Sequence, residues 1–450
     1  MPSTSWGYRA AIHLGTVLAP ALGLLDPKIR AGDSGRREAG DRLLEWARWN
    51  RDTGRPLAWF HAASVGEGLQ AESVLRQLQQ LRPDCQIIYT HFSPSAEEFA
   101  RHLSVDAADY LPYDRPDAAT RLLDSLEPDL LVFAKLDLWP ELATRAATSG
   151  CHVVIVAAAV TPTSARLRWP ARRLLEPGYR VVTSAGAISP EDAGRLAQLG
   201  VPQGRIRVLG DPRFDSVIGR VNAVDPADPL LRFGRGAPTM VAGSTWPADE
   251  SVLLSAFARL RLRRPDARLI LVPHEPTAAH LGALEKRAGH YGLPAPVRLS
   301  GANGPVPLLV VDRVGILSTL YGCGTMAYVG GGFGAAGLHS VLEPAAWGVP
   351  VVFGPRWRNS RDAGLLLEAG AARALPRAVG GRAARALERQ WERWIVAGGE
   401  RESQGSRARA VVERGVGASA RSAEMLASLI STRPLRRSPT AARAVPPSEQ

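Results

Sequence analysis

Residues 330–355 read GGGFGAAGLHSVLEPAAWGVPVVFGP, and these residue types in this order can bind a nucleotide. An apolar run, Met326 to Val329, feeds Gly330, Gly331, Gly332, Gly334 and Gly337. A helix-like segment containing Glu343 and Pro344 follows, and a second apolar run from Pro350 to Phe353 ends at Gly354 and Pro355. The pattern predicts strand, glycine loop, helix, strand. Glycines let a backbone approach a bound group closely, and a helix start offers unpaired N–H donors to an anion. A carboxylate one or two turns into that helix, Glu343, can accept hydrogen bonds from ribose hydroxyls. The same glycines would also serve as plain turns of a doubly wound sheet, since a short glycine pattern alone is a weak signal. The added Glu343-Pro344 and Gly354-Pro355 favour the phosphate-bearing ligand.

Four other strand ends carry chemistry-bearing residues. Gly243-Ser244-Thr245 follows an apolar run and precedes a helical one; its small side chains and N–H groups suit a phosphate, or an ordinary helix cap. His274 follows Val272-Pro273 at the end of the next run, on the same rim. In the first half, Phe60 ends a run and HAASVGEG (61–68) leads into a helix. Gly66 and Gly68 permit a tight turn there, and Glu67 stands at the mouth of the loop. A carboxylate so placed can take a proton from an acceptor hydroxyl, and helix N-terminal donors favour its ionised form; it can equally be a plain first-turn acid. His61 can line the site or be a satisfied strand-end histidine. Residues 135–140, KLDLWP, follow another apolar run, so Lys135 and Asp137 reach the same side; they can contact substrate or pair with each other. His61, Ser64, Gly66, Lys135 and Asp137 are assigned to the acceptor side. Ser244, Thr245, His274, Gly331, Gly332, Gly337, Ser340 and Glu343 are assigned to the donor side. No His/Cys/Asp cluster has metal spacing, and neither a nucleophile elbow nor a P-loop is present.

These loops need rigid elements behind them. After Gly54 the chain alternates β-rich runs (Leu57–Phe60, Gln86–Thr90, Asp129–Ala134, His152–Ala158, Arg180–Thr183, Ile206–Leu209) with amphipathic stretches, which argues a parallel sheet covered by helices. A Pro-, Asp- and Gly-rich stretch then reads as a linker. Alternation restarts with Thr239–Ala242, Arg268–Val272, Leu308–Val311, Met326–Val329 and Val349–Phe353. The fold class is therefore α/β, with two doubly wound Rossmann-like domains facing a cleft, the architecture called GT-B. The expected boundaries are 1–40 for a membrane-associating segment, 41–215 for the first domain and 216–237 for the linker. Residues 238–431 make the second domain with terminal helices, and 432–450 a disordered tail.

Composition narrows the function. The 450 residues carry a formal charge of +12, and of the 55 basic residues only Lys28, Lys135 and Lys286 are lysine. That excess suits an acidic partner such as a phospholipid surface. It is spread along the chain and accompanies no nucleic-acid module, so no nucleic-acid partner is expected. Cys85, Cys151 and Cys323 are odd in number and far apart, which suits buried thiols and not a disulfide frame. Ala10 to Leu25 is apolar but short of a spanning helix and interrupted by Pro20. It reads as an interfacial helix followed by Lys28, Arg30, Arg36 and Arg37 for anionic headgroups, or as a packed helix.

HAASVGEG, KLDLWP, GDPRFD (210–215), GSTWPADE (243–250) and the 330–355 block stand in an order and spacing that resemble the 3-deoxy-D-manno-octulosonic acid (Kdo) transferases of lipopolysaccharide assembly. The resemblance spans most of the chain, to about residue 375. It implies a GT-B fold, CMP-Kdo as donor substrate, and a lipid A precursor as acceptor at the cytoplasmic face of the bacterial inner membrane. It also implies inverting transfer without a metal ion or other cofactor. Glu67 matches the family's general base and Glu343 the residue that holds the ribose. Ser244, Thr245 and the 330–337 loop match the nucleotide-phosphate region. The family usually has ETELWP where KLDLWP stands, PRHP where Pro273-His274-Glu275-Pro276 stands, and Asn at Ser340. These differences fall on the acceptor and sugar side more than on the nucleotide. Two other readings stay open: a nucleotide-sugar epimerase on the same fold, and a catalytically degenerate paralogue that binds nucleotide sugar or lipid, which Lys135 favours.

Overall fold

The apolar runs of the first half pair side by side as parallel strands in the computed structural model, which describes residues 4–430 apart from Ala336, Ala378 and Gly380. The expected tail, 432–450, lies outside the described residues. Seven strands form the first sheet: β1 (Leu57–His61), β2 (Gln86–His91), β3 (Ala107–Tyr110), β4 (Leu130–Ala134), β5 (His152–Ala158), β6 (Ser184–Ala187) and β7 (Ile206–Val208). Their order is β3-β2-β1-β4-β5-β6-β7. Every residue of β1, β2 and β4 is buried. This is why they read as continuous apolar runs and not as alternation: helices cover both faces. Trp59 sits at the centre, in register with Ile88 on one side and Leu131 on the other.

The second unit repeats the plan. Its strands are β8 (Thr239–Thr245), β9 (Arg268–Pro273), β10 (Val297–Arg298), β11 (Leu308–Val310), β12 (Met326–Val329), β13 (Val351–Phe353) and β14 (Ala372–Ala374). They run in the order β10-β11-β9-β8-β12-β13-β14, all parallel. Trp391 and Trp394, on the helix Arg382–Val396, are fully buried in its core, with Trp391 stacked on Phe257.

The strand order reverses between β1 and β4 in the first sheet and between β8 and β12 in the second. Connections leave in opposite directions at such a point and open a crevice beyond the carboxyl ends of the strands. The loops after β1 and β4 carry Ser64, Glu67, Lys135 and Asp137. Ser244 stands at the carboxyl end of β8, and the loop after β12 carries the glycine cluster. Most of both sets of candidate residues thus fall at a strand-order reversal of their own sheet, a place where a ligand can enter.

Several elements differ from expectation. Residues Ala171–Arg180 form a helix, so the strand expected at Arg180–Thr183 starts at Ser184; the small buried run SAGA, with Gly186 against Leu209, takes that place. β3, β10 and β14 were not anticipated, being short and partly polar. The linker is ordered: Pro212–Asn222 is a helix that buries Phe214, Val217 and Val221, and Pro229–Gly234 is a 3-10 turn. The final helix, Ala418–Ala427, groups with the first unit and not the second. Asp215 accepts from the N–H groups of Gly417 (2.7 Å) and Ser419 (3.2 Å), and Ala423, Met425 and Leu426 join the first unit's core.

The amino-terminal segment is not separate either. One helix spans Trp6–Gly23, with Pro20 inside it, and a second spans Pro27–Asn50, so the boundary expected at residue 40 falls mid-helix. Leu43 and Ala47 of the second helix belong to the first core. Arg36, expected at headgroups, is buried beneath Phe92 and Tyr113 and donates to Phe92 O. Arg37 is held by Asp33 and Thr16 O, and Arg30 donates to Gly23 O. Among the described residues no helix is long and apolar enough to cross a membrane. All three cysteines are free and buried, and burial raises each thiol's pKa.

Gly332 and Gly354 meet back to back. A Cβ on Gly332 would lie 2.7 Å from Gly354 Cα, and one on Gly354 would lie 2.5 Å from Gly332 C. Backbone faces backbone, so no side chain can swing away. Gly332→Ala is expected to destabilise the second unit by about 1–3 kcal/mol, read as a lower urea midpoint with unchanged slope; an unshifted midpoint would show that the loop yields freely.

Candidate functional site

In the first unit, the helix Val65–Leu81 starts at the carboxyl end of β1, with Ser64 as an extended N-cap whose side chain makes no capping bond. Glu67 lies in the first turn, its side chain 18% exposed. One carboxylate oxygen, Oε1, is 3.6 Å from Lys135 Nζ. The other, Oε2, is buried and has no hydrogen-bond partner. A buried acceptor without a partner is costly and rare, and it marks a place where a ligand group belongs. Tyr89 Oη, also buried and without a partner, raises the same question; burial and the Glu67 charge both push its pKa up. Gly68 is obligatory, because a Cβ there would meet the Phe99 ring at 2.5 Å and Tyr89 Oη at 2.8 Å. Gly66 is exposed and faces open space.

Lys135 and Asp137 do not pair with each other. Lys135 adopts φ +60, a left-handed conformation that costs a non-glycine residue about 1–2 kcal/mol, and turns its ammonium to Glu67. Asp137 Oδ2 is 3.1 Å from His61 Nε2 and accepts from Trp139 Nε1 at 3.3 Å, while Arg166 donates to Oδ1 at 3.5 Å. Burial works against the Asp137 charge, but the His61 contact and the Arg166 charge outweigh it and hold the carboxyl below its ordinary range. His61, assigned to acceptor contact, is 0% exposed. Its ring is spent between Asp137 and Thr90 Oγ1, 3.1 Å from each, so it positions Asp137 and cannot touch an acceptor.

In the second unit, two buried carboxylates tie the loops together. Asp249 accepts from Trp246 N (3.0 Å), Gly331 N (2.9 Å) and Tyr328 Oη (2.7 Å), joining the loop after β8 to the glycine loop after β12. Glu250 accepts from Thr245 Oγ1 (3.2 Å) and Arg287 (2.8 Å), with His280 Nε2 also 2.8 Å away. Two assignments change as a result. The Gly331 N–H, expected to face a phosphate, is engaged by Asp249. Thr245, also expected to bind, is fully buried with its hydroxyl on Glu250. Gly332 serves the backbone contact with Gly354. Gly337, at φ +81, makes room for Asn359, whose amide nitrogen a Cβ would meet at 2.6 Å.

What remains accessible is a rim. Ser244 adopts φ +51 and is partly exposed; Ser340 and His274 are exposed. His274 stacks on Trp246 at 4.8 Å and lies 4.5 Å from His339. Trp246 Nε1 donates to His339 Nε2 at 3.1 Å, which requires a neutral acceptor nitrogen. Burial and the neighbouring His274 lower the His339 pKa and favour that form. Glu343 sits in a five-residue helix, Leu342–Ala346, so it belongs to the first turn, earlier than expected. Arg220 donates to Glu343 Oε1 at 3.2 Å. Burial raises the Glu343 pKa, and Arg220 partly offsets this.

Sequence reasoning missed Asp249, Trp246, His339 and Arg220 as site residues. Trp246 and Asp249 lie inside GSTWPADE and His339 inside GLHS, so the motifs held a signal. Arg220 stands 123 positions from Glu343 and carried none. Among the described residues no group of three or more His, Cys, Asp or Glu is placed to hold a metal ion.

Two doubly wound parallel domains, each with polar residues at its strand-order reversal, define the GT-B class of glycosyltransferases and related nucleotide-sugar enzymes. The structure is similar to a UDP-GlcNAc 2-epimerase from Neisseria meningitidis, with TM-score 0.58 over 83% of this chain and 99% of that one. It is also similar to Anabaena HepE in complex with UDP-glucose, with TM-score 0.52 over 83% and 99%. At 12% and 15% identity these likenesses show the fold alone. Sequence is more specific. Residues 38–216 match the family described as 3-deoxy-D-manno-octulosonic-acid transferase (kdotransferase), which bears out the resemblance read from the motifs. The 3-deoxy-D-manno-octulosonic acid transferase of Haemophilus influenzae is 28% identical over 313 residues, covering 67% of this chain and 71% of that protein. That of Bordetella pertussis is 27% identical over 354 residues, covering 73% and 79%. The chain is thus a glycosyltransferase similar in sequence to the Kdo transferases.

Proposed function

We propose that this protein transfers Kdo from CMP-Kdo to a lipid A precursor, with inversion, at the cytoplasmic face of the bacterial inner membrane. The observation that carries this reading is Glu67: a first-turn carboxylate at the β1/β4 reversal, inside the family-matching segment, with one oxygen buried and unpartnered. In this reading a sugar hydroxyl of the acceptor fills that vacant hydrogen-bonding position. Glu67 takes the hydroxyl proton as the oxygen attacks the anomeric carbon of Kdo. The bond from that carbon to the phosphate oxygen breaks, and CMP leaves with the electron pair. Glu343 accepts the ribose hydroxyls, and Ser244 with the exposed loop around Ser340 meets the phosphate. Trp246, stacked on His274, gives the donor rim a flat apolar wall. Lys135 and Asp137 meet the acceptor's polar groups.

No metal is assigned a role, and the nucleotide phosphate is met by N–H and hydroxyl groups. Mass spectrometry of the product from CMP-Kdo and a tetraacylated lipid A precursor tests the reading. The expected product is heavier by one or more Kdo residues, and it forms in the presence of EDTA. Donor turnover without acceptor would point to an epimerase, and donor binding without product to a binding protein; either would overturn the proposal.

A further inference from the structure

Tyr89 stands on β2, in register with Phe60 of β1. Its ring is fully buried in the first unit's core, in a T-shaped contact with Phe99 at 6.2 Å between centroids. Packing asks only for the ring. A phenylalanine would fill the same space, whereas the hydroxyl adds a buried polar atom with no partner among the described residues. Such an atom carries its full desolvation penalty. Gly68 adds a second cost, because glycine is a poor helix former and stands early in the helix Val65–Leu81. A Cβ there would come within 2.8 Å of Tyr89 Oη, so the glycine keeps room for that hydroxyl, as for the Phe99 ring, beneath the start of the helix.

The residue before Gly68 is Glu67, whose Oε2 is likewise buried without a partner. One of these two atoms carries a proton to donate and the other can only accept. Burial raises the Tyr89 pKa most, followed by the Glu67 charge and then that of Glu72, so the phenol keeps its proton. The neighbouring charges are otherwise engaged: Lys135 faces Glu67 Oε1 at 3.6 Å, and Glu72 pairs with Arg76. An ionised carboxylate oxygen accepts two hydrogen bonds, so a donor from the Tyr89 side leaves Oε2 free to accept from a substrate hydroxyl as well.

We propose that Tyr89 is a positioning residue for Glu67: its hydroxyl donates, through one buried water, to Glu67 Oε2 and fixes the carboxylate toward the acceptor hydroxyl. A water between a buried donor and a buried acceptor satisfies both, and such a bridge is nearly as good as a direct bond. Lys135 then holds Oε1 while Tyr89 holds Oε2, and the carboxylate plane can no longer turn. A neutral donor steadies the carboxylate without adding a second positive charge beside Lys135, which would weaken it as a base. The inference rests on the reading of Glu67 as the general base and adds the residue that orients it.

The test has a structural and a kinetic arm. A crystal structure of the full chain should show a water within hydrogen-bond distance of both Tyr89 Oη and Glu67 Oε2, and Tyr89→Phe should lose it. A wild-type structure without that water would overturn the proposal. Tyr89→Phe should lower kcat for Kdo transfer about tenfold, the effect of one hydrogen bond to a charged group, with the acceptor KM and the urea midpoint near wild type. In the Glu67→Gln background the same substitution should cost less than about twofold, because Tyr89 acts only through the carboxylate. A role in packing alone would lower the urea midpoint and cost the same in both backgrounds. That result, or wild-type kcat in Tyr89→Phe, would overturn the proposal. A wild-type protein that forms no Kdo product would instead overturn the transferase reading, and the bridging water, which is seen without turnover, would still decide on Tyr89.

Discussion

Glu67→Gln lowers the rate of Kdo transfer by roughly 10²–10⁴-fold, the range a positioned base supplies, while CMP affinity stays within about twofold of wild type. The reason lies in the two carboxylate oxygens. Oε1 faces Lys135, and Oε2 is buried with no partner. Glutamine keeps the shape and can still hydrogen-bond an acceptor hydroxyl, but it cannot take the proton. The loss should therefore fall on kcat more than on KM for the acceptor. CMP binding is the control, because the residues assigned to the nucleotide belong to the other unit. Lys135→Met separates base from ion pair: it removes the ammonium and keeps the carboxylate. If Lys135→Met costs as much as Glu67→Gln, the pair as a whole and not the base sets the rate. Wild-type turnover by Glu67→Gln would remove Glu67 from catalysis altogether.

Arg220→Met weakens CMP binding about tenfold near neutral pH, and the loss shrinks as pH rises. Glu343 sits where burial raises its pKa, and Arg220 is the cation that counters this. Without Arg220 the pKa climbs further and a larger fraction of Glu343 is protonated, so it accepts ribose hydroxyls less well. Raising the pH restores the carboxylate and with it the affinity. Arg220→Lys, which keeps the charge, should show little of this dependence. Calorimetric titration of CMP at several pH values reads the effect; a loss equal at every pH would mean that Arg220 only shapes the site. Stability runs the opposite way. A carboxyl whose folded pKa is raised contributes stability that is present below its unfolded value and is lost as pH rises through the folded one. Glu343→Gln should therefore stabilise the second unit at neutral pH while weakening CMP binding, the expected mark of a group kept for function.

Much of the fold was legible because fully buried parallel strands leave continuous apolar runs. β1, β4, β9 and β12 were visible for that reason. β3, β10 and β14 were not, since edge strands of two to four residues bury too little to write a pattern. The site was legible in its loops and less so in its roles. Glu67, Lys135, Asp137 and Ser244 stand at the strand-order reversals, as their positions after apolar runs implied. His61 and Thr245 stand there too, but their side chains turn inward to Asp137 and Glu250, and burial is a property of neighbours. The linker looked irregular because Phe214, Val217 and Val221 are too few to make a long period, though they suffice to pack a helix.

Sequence by itself determined the class of fold, the likeness to one family of transferases, and which loops meet at the end of each sheet. These follow from local causes: apolar runs make strands, glycines make close turns, and a parallel order places every loop that follows a strand on one side. Only the tertiary structure decided which carboxylate oxygen lacks a partner, which glycine N–H is already engaged by Asp249, and which arginines are held within the fold. Lys135 found Glu67 across 68 positions, and Arg220 found Glu343 across 123. Such pairings depend on distances between elements remote in the chain, and no local pattern of residues encodes them.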